Sequence, residues 1–205
     1  MTLSTKTSSP PDLLNNDIAE TLRKMTLPMI IGMVVLMTFG LVDTFFIGML
    51  GTQELAAISF TFPVTFTVIS LNIGLGIGTS AIIAKQLGAG QHDEAKKTAT
   101  GALMLTMVLA IILAIIGVMT MKPIFRLMGA DVQQFVFIKE YMLVWYAAGV
   151  FLAMPMVGNS VLRASGDTKT PSYVMAFGGL INVILDPILI FGWGPVPALG
   201  IQGAA

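Results

Sequence analysis

Five stretches of this chain run for twenty or more residues with hardly a charge. They lie at about residues 25–50, 55–84, 98–121, 141–162 and 171–193. An apolar helix of about 20 residues crosses roughly 30 Å of hydrocarbon. The sequence therefore predicts an all-α integral membrane protein, a polytopic helix bundle with five complete spans. Composition agrees, with 55% hydrophobic and 11% charged residues, where a soluble domain carries about 25% charged. The second run, 30 residues between Glu54 and Lys85, exceeds what a crossing needs. It is tilted, kinked near Pro63, or continued past the membrane.

Residues 1–24 read as a polar tail, with Asp12, Asp17, Glu20, Arg23 and Lys24 and no apolar core of a secretory signal. Leu13 to Lys24 has the makings of a short interfacial helix. The first span is then expected to act as an uncleaved insertion signal. Residues 25–205 form the transmembrane lobe. Beyond the fifth span, GPVPALGIQGAA is a Pro/Gly turn that reaches the last residue as a sixth helix begins, so a longer protein is expected.

Basic residues set orientation. One side holds Lys6, Arg23, Lys24, Lys85, Lys96, Lys97, Arg163 and Lys169, and the other Lys122, Arg126 and Lys139. Eight against three predicts a cytoplasmic N-terminus in a multi-pass protein of the cell's inner (plasma) membrane. The formal net charge of zero gives no argument for nucleic acid. Cysteine is absent, which removes disulfides, thiolate metal sites and cysteine nucleophiles. No HExxH, GxSxG, GxxxxGK[ST] or GxGxxG occurs, so neither an enzyme nor a bound cofactor is expected.

Two carboxylates sit inside the spans: Asp43 in FGLVDTFFIG and Asp186 in INVILDPILIFG. A charge at mid-helix costs about 2.5–3.5 kcal/mol on insertion scales, and such residues face a bundle interior on an ion or proton path. Asp43 is 18 residues past Met25, and Asp186 is 15 past Pro171. At 1.5 Å rise per residue they lie roughly 27 and 23 Å from the inner face. Both fall at one level, in the outer half. Asn182 precedes Asp186 by one turn on the same helix face. Two carboxylates and an amide oxygen suit a hard cation such as sodium. Alternatively the pair holds a proton, because burial and like-charge repulsion both favour the protonated form. A third reading is a plain hydrogen bond within the bundle, to Thr44 or Asn72. Pro187 removes a backbone donor and clashes with the carbonyl of Val183, which turns that carbonyl and its neighbours toward a site.

Other polar features carry less. Pro28 marks either the first turn of its helix or a bending point. Asn72 is a candidate for the aspartate network. His92, the lone histidine, lies in the solvated loop QLGAGQHDEAKK, and RASGDTKTP is a charged turn with a helix start at Thr170-Pro171. Gly74, Gly76, Gly78, Gly178 and Gly179 allow close helix approach or mark a moving segment. The 15 methionines fill apolar gaps or line an adaptable cavity.

Four stretches together resemble one family. They are VDTFFIGMLGTQELAAIS, GLGIGTSAIIAKQLGAGQHDEAKK, GNSVLRASGDTKTP and NVILDPILIFGWGPVPALGIQGAA. Their order and spacing over about residues 20–205 are similar to the multidrug and toxic compound extrusion family of cation-coupled antiporters. The resemblance implies the N-terminal six-helix lobe of a two-lobe transporter, with its sixth helix truncated and a C-terminal lobe missing. It implies export of small organic, often cationic substrates through the lipid bilayer, with sodium or protons as coupling ion. The family's N-lobe cation site matches Asp43, Asn182 and Asp186, and its helix-one bending proline matches Pro28. The sixth-helix hydroxyl of that site would lie beyond Ala205.

Three rivals remain. A lipid-linked saccharide flippase of the same superfamily should show basic residues inside its spans, and none is present. An intramembrane aspartyl protease needs GxGD in a helix, whereas ASGD at 164–167 has alanine first and reads as a loop. A non-transporting scaffold would make both aspartates dispensable.

Overall fold

The computed structural model describes residues 18–194 and 197–205, with every side chain there except those of Pro28 and Leu36. Five long helices follow one another: α1 (Ile18–Leu50), α2 (Thr52–Gly88), α3 (His92–Leu127), α4 (Val132–Ala164) and α5 (Lys169–Phe191). A 3₁₀ turn, Gly200–Ala204, closes the chain where the start of a sixth helix was expected. All five helices are long and apolar enough to cross a membrane. Large apolar side chains cover their outer faces, among them Met119, Phe151 and Tyr173, each more than 70% exposed. The chain is an all-α, multi-pass membrane protein.

α1 to α4 run past their charge-free stretches, whereas α5 ends at Phe191, two residues before its stretch does. The 36 residues of α3 span about 54 Å, well beyond the hydrocarbon. The reason is physical. Charges mark where lipid ends, but backbone hydrogen bonding continues until a residue reverses the chain. The second run lies within one helix over 52–88 that includes Pro63. The interfacial helix expected over 13–24 lies partly outside the described residues. Its described part, from Ile18, forms the first turns of α1, tied by a 2.6 Å ion pair between Lys24 and Glu20. Position 28 consequently falls well inside α1 and not at its start; the Pro28 side chain is outside the described set.

The reversals are built from local hydrogen bonds. At the end of α4, Gly166 adopts φ 87°, a left-handed conformation that glycine takes without penalty. The Gly166 N–H donates to the Arg163 carbonyl and the Asp167 N–H to the Leu162 carbonyl, which satisfies two orphan acceptors. Gly129, φ 94°, ends α3 the same way, with Ala130 N–H donating to the Phe125 carbonyl. α4 then opens on a reciprocal cap. The Gln134 N–H donates to Asp131 at 2.7 Å, and the Asp131 N–H donates to Gln134 at 3.1 Å.

In the packing, α4 lies against α2 and α3, while α1 pairs chiefly with α5. The core cluster gathers where α2 begins, α3 ends and α4 begins: Ala57, Met121, Phe125, Ile138, Met142 and Tyr146, with Ile201 of the 3₁₀ turn. That turn is held to α5 by a hydrogen bond from the Leu199 N–H to the Leu189 carbonyl, 2.9 Å. Close approach is confined to particular glycines. A methyl at Gly76 would meet Ser160 Oγ of α4 at 2.5 Å, and one at Gly179 would overlap the Phe39 ring of α1. Nothing lies within 4 Å of the corresponding positions at Gly74, Gly78 and Gly178.

Candidate functional site

The α1–α5 pair places the two intramembrane aspartates. Gly32 faces Ser172, Phe39 faces Gly179, and Phe46 stacks edge-on against Phe191 with centroids 6.4 Å apart. These contacts advance together along both helices, so α1 and α5 run parallel. Asp43 and Asp186 fall between the second and third of them. The two carboxylates lie within electrostatic reach of one another.

Asp186 is buried, with 3% of its surface exposed, and Asp43 is half-buried. One oxygen of each, Asp43 Oδ1 and Asp186 Oδ2, is fully enclosed without a hydrogen-bond partner among the described residues. An enclosed polar atom without a partner costs about 1–3 kcal/mol, more for a charged group. A proton, a cation or a water would satisfy such oxygens.

The neighbours that a simple bundle hydrogen bond requires are engaged elsewhere. Thr44 is exposed and donates its hydroxyl to the Gly40 carbonyl of its own helix at 2.8 Å. Asn72 donates its amide to the Val68 carbonyl on α2 at 3.0 Å. Asn182 sits one turn before Asp186 on α5 and is exposed, on the side of the site toward the start of the helix. Pro187 lies inside α5 and cannot donate to the Val183 carbonyl, so that carbonyl lacks its helical partner. One turn beyond the aspartates, Ile47 and Ile190 are each 1% exposed. With the Phe46–Phe191 pair they make the segment beyond the aspartates apolar.

A residue that sequence reasoning passed over lies near the pair. Tyr141 of α4 lies within electrostatic reach of both Asp43 and Asp186, and packs against the core cluster. Its sequence signal was ambiguous, because a tyrosine at the start of a span reads first as an interfacial anchor. The polar groups around the pair offer oxygen: the two carboxylates, the exposed Asn182 amide one turn before Asp186, and the Tyr141 phenol within electrostatic reach. No group of three His, Cys, Asp or Glu exists among the described residues. This chemistry suits a proton or a hard monovalent cation better than a transition metal.

The charged turn lies apart from the site. Asp167 accepts hydrogen bonds from the backbone of Lys169 (3.1 Å) and Thr170 (3.0 Å), capping α5. Hydrogen bonds from the side chain and backbone of Thr170 hold its carboxyl below the usual aspartate range. In this role Asp167 is a cap in a loop and no protease aspartate. His92 is exposed at the first position of α3.

Comparison with known proteins gives a consistent result. The profile of the family described as MatE matches residues 28–188. The chain is 46% identical over 193 residues to the "FAD transporter" of Shewanella oneidensis, covering 94% of this chain and 43% of that protein. It is 35% identical over 156 residues to the "Probable multidrug resistance protein YoeA" of Bacillus subtilis, covering 76% of this chain and 34% of that one. Among solved structures, the Vibrio cholerae MATE transporter VcmN in the bent form superposes with a TM-score of 0.85 at 38% identity, over 91% of this chain and 42% of that one. The chain spans less than half the length of these relatives.

Proposed function

Since the chain belongs to the MatE family, we propose that it is the N-terminal lobe of a secondary active transporter that exports small organic, often cationic compounds in exchange for sodium or protons. The family is one of transporters and not of enzymes. The observation that carries the reading is the pair of enclosed, unpartnered carboxylate oxygens on Asp43 and Asp186. A cation or proton between them relieves both their repulsion and their missing hydrogen bonds. Its release restores both costs. The ion therefore has a differential affinity for two arrangements of α1 on α5, which is what coupling by alternating access requires. Asn182, exposed beside Asp186, is the ligand at the open side of the site. Pro187 frees the Val183 carbonyl one turn below, and position 28 supplies the bending point of α1. The N-terminus is cytoplasmic, by the eight-to-three distribution of basic residues.

A second reading concerns the cargo. The 46% identical relative carries the name of an FAD transporter, and a flavin dinucleotide is an anionic, aromatic substrate. No Lys or Arg lies within the five apolar runs to receive its phosphates, which favours neutral or cationic cargo. Full-length protein in liposomes, loaded in parallel with a fluorescent organic cation and with FAD, tests both. Gradient-driven movement of the cation is expected. Movement of FAD alone would replace the cationic-cargo reading with the flavin one.

A further inference from the structure

The first two contacts of the α1–α5 seam are seven residues apart on both helices, Gly32 with Ser172 and Phe39 with Gly179; the third pairs Phe46 with Phe191, beyond Asp186. A seven-residue repeat keeps two parallel helices in contact along their length. At its centre the Phe39 ring lies in the notch left by Gly179, where any side chain would overlap it. Phe39 is one turn before Asp43, and Gly179 is two turns before Asp186. Both partners of the notch are half-buried.

We propose that the Phe39–Gly179 notch is the register pin of the cation site. It fixes the height and rotation of α1 on α5 and so holds Asp43 within about one turn, roughly 4.5 Å of rise, of the level of Asp186. This rests on the cation-site reading above. Phe39 is a positioning residue; it touches no ion. Without the pin, α1 can slide or turn against α5, because lipid supplies no hydrophobic force to hold two apolar helices in one register. The two carboxylates then separate and the ion loses one ligand, while the helices remain folded and inserted.

The test uses full-length protein in liposomes. It reads the sodium or proton concentration that gives half-maximal transport of a fluorescent organic cation, separately from the maximal rate. Gly179→Ala and Phe39→Ala are each expected to raise the half-saturating ion concentration about tenfold, as outer supports of ion ligands do. Maximal rate should change less. Combining Phe39→Leu with Gly179→Ala restores a smaller knob to a shallower notch and should recover most of the loss, a coupling that independent sites lack. Register is read without transport by a disulfide. The natural chain has no cysteine, and a Cβ at Gly32 would stand 3.8 Å from that of Ser172, the usual separation in a disulfide of about 3.8 Å. Gly32→Cys with Ser172→Cys should cross-link readily, and Gly179→Ala should slow that reaction. The proposal is overturned if Gly179→Ala leaves half-saturation and cross-linking unchanged. It is equally overturned if only yield and maximal rate fall, because the notch is then packing alone. Asp186→Asn serves as the separate control: wild-type gradient response in that variant would remove the cation site itself, whatever the notch variants do.

Discussion

Phe125→Ala provides a quantitative test of how the helices are held at the end nearest the site. Phe125 has no exposed surface and packs in the cluster of Met121, Ile138, Met142 and Tyr146. It lies between Lys122 and Arg126, beyond the charge-free run, so its reference state is water and not lipid. Full burial of a phenylalanine contributes about 1.5–3 kcal/mol by transfer. The space left behind adds to this, and Phe→Ala costs about 3–5 kcal/mol in all. Collapse into the space is resisted here. The Phe125 carbonyl accepts from Ala130 in the glycine turn, and the Asp131–Gln134 cap fixes the start of α4. We therefore expect about 4 kcal/mol. At roughly 2–4 °C per kcal/mol for a chain of this size, the Tm falls by about 8–16 °C. Thermal unfolding of purified protein in detergent measures it. A loss below about 1 kcal/mol would refute the close packing of α3 on α4 from which the figure is derived.

Tyr141→Phe removes a phenol within reach of both aspartates. It should raise the half-saturating ion concentration severalfold with little loss of protein, read by transport in liposomes. Asp167 titrates below its usual value of about 3.9 because its charged form is hydrogen-bonded in the fold. A lowered folded value contributes stability above the unfolded pKa that is lost as pH falls through the folded one. Thermal melts of the wild type should thus weaken below about pH 4, and Asp167→Asn should lower stability at neutral pH and flatten that acid dependence. His92→Cys, a lone thiol at the exposed start of α3, should react with a membrane-impermeant maleimide only from the cytoplasmic side; labelling from outside would invert the topology.

The spans were legible because lipid imposes one rule on every crossing helix, about 20 residues without charge. Their ends were not, since α3 continues from Met121 to Leu127 on backbone hydrogen bonds that are indifferent to the membrane surface. Asp43 and Asp186 stood out through their insertion cost, and parallel packing of α1 and α5 brings them within electrostatic reach. Four-residue spacing placed Asn182 on the face of Asp186, yet Asn182 is exposed where Asp186 is buried, a difference that depends on how α5 packs. Asn72 shows the limit of that reasoning: its amide serves the Val68 carbonyl of its own helix, an alternative always open to a polar side chain in a helix. Tyr141 lay hidden because its role depends on how α4 is set against two other helices. The same holds for the glycines. Gly76 and Gly179 are contact points while Gly74 and Gly178 face open space, a difference that arises from which face packs.

The central claim is that Asp186 and Asp43 hold the coupling ion. Its most direct test is efflux of an organic cation by the full-length protein in vesicles, under an imposed sodium or proton gradient, with wild type compared against Asp186→Asn. The account predicts that one gradient drives the wild type and that the variant responds to neither. Equal gradient-driven export by both would show that the enclosed carboxylate serves structure alone.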